Sequence, residues 1–219
     1  MKISILCSSM EHPVYPWLER WCVENSHQYE IELVNQSCDL NTGDILFLTS
    51  CHEIVSKETR RKFSASLVVH ASDLPRGRGW SPLVWQILEG RKKIIVSLLE
   101  AEDAVDSGDI WKQEVLQFEG HELYDEINTA LCKTVIDLMD YAVTHIGDIQ
   151  PVPQENSEPT YYRRRTPDDS LLDPGKSIVE QFELLRIADP VMYPAFFDYR
   201  GCRYQVRLIK IDGPIKSAD

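Results

Sequence analysis

Apolar and polar positions along this chain change period block by block, and each block predicts an element. Ile3, Ile5 and Leu6 form a compact apolar run that predicts a buried strand over residues 2–7, closed by the polar pair Ser8-Ser9. Trp17, Leu18, Trp21 and Cys22 then recur at spacings of three and four, which puts them on one face of a helix from Pro16 to Glu24. Strands are expected at Tyr29–Val34 and Asp44–Leu48, with a short polar helix between Ser56 and Phe63. The run from Leu67 predicts a strand that gives out at His70, and a polar, glycine-bearing turn follows. Ser81-Pro82 opens the next helix, because serine can cap free N–H groups and proline suits the first helical position; Gly90 closes it. Strands at Lys93–Leu99 and Trp111–Phe118 precede one long helix from His121 to Ile146. Its stripe of Leu123, Ile127, Leu131, Val135, Leu138, Met139 and Ala142 belongs to a core. Strands alternating with helices predict a mostly parallel sheet with helices on both faces.

The pattern changes after Gly147. Residues 147–176 carry five prolines and the run Arg163-Arg164-Arg165 without hydrophobic periodicity, and loops this long inside a domain tend to link or to act. A last helix is expected from Lys176 to Ala188. A β-hairpin follows, with strands Ala195–Tyr199 and Arg203–Ile211 and a turn at Arg200-Gly201. The edge of that hairpin could pair with a second copy of the chain, and residues 216–219 are expected to be loose. The organisation expected is therefore a catalytic domain over residues 1–150 and a linker, helix and hairpin over residues 151–219.

Charge and cysteine usage narrow the setting. The formal net charge of −12 argues against a broad nucleic-acid surface, which needs a basic stripe. Nothing approaches the roughly 18–20 apolar residues of a membrane span, and the start of the chain is interrupted too soon for a signal peptide. The six cysteines are scattered, with no C-x-x-C pair, which suits free thiols in a reducing cytoplasm. His12, His27, His52, His121 and His145 show no ligand spacing, so no metal site is expected. No G-x-G-x-x-G follows the first strand, which argues against dinucleotide binding at that turn.

The chemistry gathers around His70. The segment His70-x-Ser72-x-Leu74-Pro75, then glycines and Ser81-Pro82, resembles the active-site segment of formyltransferases that use N10-formyltetrahydrofolate. Val105-Asp106-Ser107-Gly108-Asp109-Ile110 resembles that family's Asp-x-Gly-Asp loop, and Pro153-Gln154 with Pro159-Thr160-Tyr161 is a weaker third match. Arg78-Gly79-Trp80-Ser81-Pro82 and the ending from Tyr193 to Gly201 are most similar to the branch acting on amino sugars, of the pseudaminic acid pathway type.

The resemblance implies a Rossmann-like fold and transfer of a formyl group from N10-formyltetrahydrofolate to the amine of a nucleotide-linked amino sugar. It implies His70 as base, Asp106 orienting it or relaying the proton, and Ser72 in the catalytic set. An imidazole titrating near neutrality suits removal of the amine's proton, and a positioned donor would stabilise the oxyanion. The pterin is expected against Leu98, Leu99, Ala101, Val105 and Asp106, largely through backbone groups. Arg76, Arg78, Trp80, Arg163 and Arg164 are the substrate-side candidates, since guanidinium matches phosphate bidentately and indole stacks on a sugar or base. Each has a plainer reading: surface charge for the arginines, core packing for Trp80, an ordinary turn for Asp106. One position departs from the family. Its Asn-x-His pattern reads Val68-Val69-His70 here, so the amide expected to donate to the oxyanion is absent. Other readings are glycinamide ribonucleotide or methionyl-transfer-RNA formylation, or a folate- or nucleotide-binding relative without catalysis.

Overall fold

A computed structural model describes residues 1–211; the loose tail expected at residues 216–219 lies outside the described residues. The chain runs β1 (Lys2–Leu6), α1 (Tyr15–Asn25), β2 (Glu30–Val34), β3 (Gly43–Leu48), α2 (Lys57–Arg60), β4 (Phe63–His70), β5 (Arg78–Gly79), α3 (Pro82–Leu88), β6 (Lys93–Glu100) and β7 (Ile110–Gln117). It continues through α4 (Tyr124–His145), β8 (Tyr161–Tyr162), α5 (Phe182–Ile187), β9 (Ala195–Tyr199) and β10 (Cys202–Val206).

Six strands form the central sheet in the order β2-β1-β3-β4-β6-β7. The pairs β1·β2, β1·β3 and β3·β4 are parallel, whereas β4·β6 and β6·β7 are antiparallel, so β6 alone runs against the other five strands. The pleat divides each strand between two cores. Ile3, Ile5, Ile45, Phe47, Leu67, Val96 and Leu98 pack with α1, α3 and α4, while Leu6, Leu46 and Leu48 face the other way. That second face is covered more thinly, by Leu40 and by Val55 and Phe63, which flank the short α2. Chain order reverses between β1 and β3, so a crevice opens at the carboxyl ends of these strands, where α/β sheets take their ligands.

Several boundaries differ from expectation, each for a local reason. Ser81 does not cap α3 with its side chain; it holds a left-handed φ of 49° as the chain turns out of β5 into the helix. The helix α4 starts at Tyr124 rather than His121, because Glu122 accepts from the Glu119 and Gly120 N–H groups and completes a turn first. The expected helix from Lys176 is only α5, preceded by a 3-10 turn at Val179–Gln181. Gln181 accepts from the Asp173 N–H and donates to the Asp173 carbonyl, tying up the turn that would have been helix. The second hairpin strand stops at Val206, opposite Ala195, because Pro194 ends its partner.

The segment around α5 is anchored to the main body. Arg186 is fully buried, donating to Glu183 Oε2 at 2.6 Å and to the Glu122 carbonyl at 3.3 Å, and Ile187 joins the main core. The segment after residue 150 returns across the sheet's carboxyl edge, where β8 pairs with β5 in parallel. Residues on both sides of position 150 therefore meet at this edge.

Candidate active site

The carboxyl end of β4 delivers His70, because a strand ends where its hydrogen-bonded neighbours end and its last side chain meets the loops. His70 is buried, and its Nε2 lies 2.8 Å from the Gly77 carbonyl. A carbonyl only accepts, so Nε2 carries the proton and Nδ1 is the free basic atom. Nδ1 faces Asp106 Oδ1 at 3.6 Å, with both side chains more than nine-tenths buried. That gap is too long for a direct hydrogen bond and suits one bridging atom group, such as a water or the substrate's amine. The other oxygen of Asp106, Oδ2, accepts from the Gly79 N–H at 2.8 Å. The carboxylate is thus anchored on one side and left to face the imidazole on the other.

Two glycines permit this. Gly79 has φ of 95°, and a Cβ there would stand 2.6 Å from the Tyr162 carbonyl oxygen, so only glycine lets β5 lie against β8. Gly108 passes directly against the Glu100 backbone, folding the loop over the end of β6. Between them Asp106 holds a positive φ of 52°, sparsely populated for a residue with a side chain. The turn from 72 to 77, with its cis Leu74–Pro75 peptide, is held by the Gly77 N–H donating to Thr160 Oγ1 at 2.8 Å.

The remaining expected residues part ways. Ser72 is buried, its hydroxyl shut off from solvent and without a partner among the described residues, while its carbonyl accepts from Ser97 Oγ at 2.8 Å and so ties the turn to β6. Val68 lies two residues before His70, on the same face of β4, and packs in the second core; no amide donor stands there. Leu98 and Leu99 have fully buried side chains, and their backbones lie within ladders to both β4 and β7. The Ala101 N–H donates to the Ser66 carbonyl. The groups at 98, 99 and 101 are thus engaged within the protein. Residues 102–105, Val105 among them, are exposed, and among the described residues their N–H groups have no acceptor. Arg60 holds this loop from below, donating to the Ala101 carbonyl and to Asp103.

Among the arginines, Arg163 is committed to Asp169, at 2.8 Å, and lies over Trp85. Arg78 donates to Gln154 Oε1 at 2.6 Å. Arg76 is exposed, and Arg164 stacks its guanidinium on Trp80, 4.9 Å from the ring centre. Sequence reasoning missed His52, whose ring lies 5.7 Å from Trp80 on the loop after β3, and His12, which packs beside Ser50 after β1. Neither had a spacing that marked it, since they converge only through the parallel pairing of β1 and β3. Burial first, and the neighbouring His52 second, push His12 down to about 4.

The His12 shift has a stability consequence. The unfolded chain binds a proton at about 6.5, and the folded one holds His12 neutral until about 4. Acidification through that window therefore favours the unfolded state, by about 2 kcal/mol once partial solvent exposure is allowed for. Urea unfolding at about pH 7 and about pH 4.5 should show this loss in the unaltered protein and not in His12→Asn. An equal loss in both would refute the assignment.

The described architecture is shared widely. It is similar to a methionyl-tRNA formyltransferase from Clostridium thermocellum, with a TM-score of 0.82, 24% identity, and coverage of 97% of this chain and 94% of that one. It is similar to a sugar N-formyltransferase from Shewanella sp., with a TM-score of 0.73, 14% identity and coverage of 98% and 99%. HypX from Aquifex aeolicus, solved in complex with tetrahydrofolic acid, matches with a TM-score of 0.72 and 18% identity, covering 95% of this chain and 37% of that one. Residues 4–136, which run from β1 into α4 and carry both His70 and Asp106, match the formyl transferase family. The chain belongs to that family of formyl transferases.

Proposed function

We propose that this enzyme formylates the amine of a nucleotide-linked amino sugar, with His70 as base and Asp106 as its partner. The observation that carries the acceptor reading is the exposed platform at the mouth of the site. Trp80, backed by Arg164 and flanked by His52, offers a flat aromatic face beside a guanidinium. With Arg76 in solvent nearby in the chain, it suits a base or sugar joined to phosphate. The net charge of −12 points away from transfer RNA.

The chemistry follows from the geometry. The acceptor amine attacks the formyl carbon of the donor and loses a proton to His70; the bond from that carbon to N10 then breaks, and N10 takes that proton back from the imidazolium. Nδ1 of His70 is the free basic atom, and the imidazolium formed there faces the Asp106 carboxylate, which stabilises it. Val68 has nothing to donate to the oxyanion, which leaves the His70 imidazolium as the charged donor in this part of the site. Restoring an amide with Val68→Asn should raise kcat by about tenfold, given that one such donor is worth on the order of 10²–10³ in well-formed oxyanion holes. An unchanged or lower rate in the folded variant would mean that Val68 does not border the reacting carbon.

The test of acceptor class is direct. The protein is incubated with N10-formyltetrahydrofolate and, in separate reactions, a panel of nucleotide-linked amino sugars, glycinamide ribonucleotide and methionyl-transfer RNA. Mass spectrometry then reads one added formyl group. Formylated sugar nucleotide supports the proposal. Product only from one of the other two replaces it, and donor binding without any product favours a binding protein. Trp80→Ala should raise the KM for the accepted sugar about tenfold with kcat little changed, as loss of one stacking face worth about 1–2 kcal/mol predicts.

A further inference from the structure

We propose that Gln154 is a positioning residue for the Asp106 carboxylate, an inference that rests on the His70–Asp106 reading above. Gln154 Nε2 donates to two carbonyls, those of Asp106 at 2.8 Å and Gly108 at 2.9 Å. Its Oε1 accepts from Arg78 Nη2 at 2.6 Å. The amide's orientation is fixed by this chemistry, since carbonyls can only accept and guanidinium can only donate. Every hydrogen of the amide is in use.

What these bonds grip explains their weight. The Asp106 and Gly108 carbonyls are the two shoulders of a turn in which Asp106 itself holds an unfavourable φ of 52°. Strained backbone of this kind persists only where its surroundings over-determine it. Arg78, at the other end of the bridge, is the neighbour of Gly79, whose N–H holds Asp106 Oδ2. One side chain thus ties the strand that anchors the carboxylate to the turn that carries it. With both fixed, Oδ1 is left at 3.6 Å from His70 Nδ1. Only a glutamine side chain supplies two donors and one acceptor in that plane; glutamate would set its oxygens against both carbonyls.

The first readout needs no substrate. In the unliganded full-length protein, the Gly79 amide proton reports its bond to the carboxylate by its NMR shift and slow exchange. Asp106→Asn should move it, and Gln154→Leu should move it in the same direction. Gln154→Asn, which keeps the amide but shortens its reach, gives a milder form of the same result should the leucine variant not fold. In turnover with N10-formyltetrahydrofolate and the sugar nucleotide formylated in the panel, Gln154→Leu should lower kcat about 10–100-fold, with the sugar KM within about threefold. In the Asp106→Asn background the same substitution should cost less than about threefold, because residues that act as a unit are not additive. A Gly79 amide unmoved in Gln154→Leu, or losses that multiply, would overturn the proposal while leaving His70 and Asp106 in place. Full turnover by His70→Ala would instead remove the catalytic reading itself, and the role of Gln154 with it.

Discussion

His70→Ala should lower formyl transfer by about 10³-fold while the protein stays folded. The imidazole stands at the end of β4 with a free ring nitrogen facing Asp106, and general-base contributions run to about 10²–10⁴-fold. Its structural work is smaller. The residue gives up one hydrogen bond to the Gly77 carbonyl, worth about 1 kcal/mol, and leaves a small gap under the turn. The turn keeps its other tie, from the Gly77 N–H to Thr160. Turnover measured beside thermal unfolding separates the two effects. Loss of rate with a transition shifted by only a few degrees is the expected pair; a rate within about tenfold of the unaltered protein would mean that the base lies elsewhere.

Gly108→Ala should be nearly as damaging, by a different route. A Cβ at this position would stand 2.7 Å from the Glu100 carbonyl carbon, and closer still to its oxygen. Backbone in a strand paired on both sides cannot retreat as a flexible side chain can. The loop must lift instead, carrying Asp106 away from His70 and breaking the bonds that Gln154 makes to both shoulders. A displacement of about 1 Å at a reacting group can cost about 10²-fold in rate, so kcat should fall at least that far, with about 2–3 kcal/mol of stability lost to strain and broken hydrogen bonds. Gly147→Ala is the control, since nothing lies within 4 Å of a Cβ there and its φ is not left-handed. It should be neutral or slightly stabilising. Equal behaviour of the two variants in urea unfolding and turnover would refute the argument from close packing.

The central architecture was legible because it depends on local pattern. Buried strands such as Ile3–Leu6 and the stripe along α4 state their partners' chemistry in their own sequence, so the strands and most helices fall where the periodicity puts them. His70 and Asp106 were legible for a related reason: both stand in short strand-to-loop segments whose turn residues mark them. The surroundings of Leu98 and Leu99 were not legible, because sequence shows a strand but not its place in the sheet. An edge strand has backbone to offer a ligand, and β6 has a neighbour on each side. The arginine run was read as one patch, yet Arg163, Arg164 and Arg165 diverge to Trp85, Trp80 and Tyr193. Neighbouring residues in an extended segment point to different sides, and which side holds a partner is a tertiary matter.

By itself the sequence determined the alternation of strands and helices, the acidic charge, and the presence of an imidazole and a carboxylate at strand ends, because these follow from residue type and short-range spacing. The tertiary structure decided which atoms those groups use. It divided the Asp106 carboxylate between Gly79 and His70, sealed Ser72 beneath a turn, and brought Gln154 from beyond the long helix α4 to hold the Asp106 turn. Such hydrogen bonds form between residues 27 to 48 positions apart, and their partners exist only once the sheet has set which backbone groups are already spent.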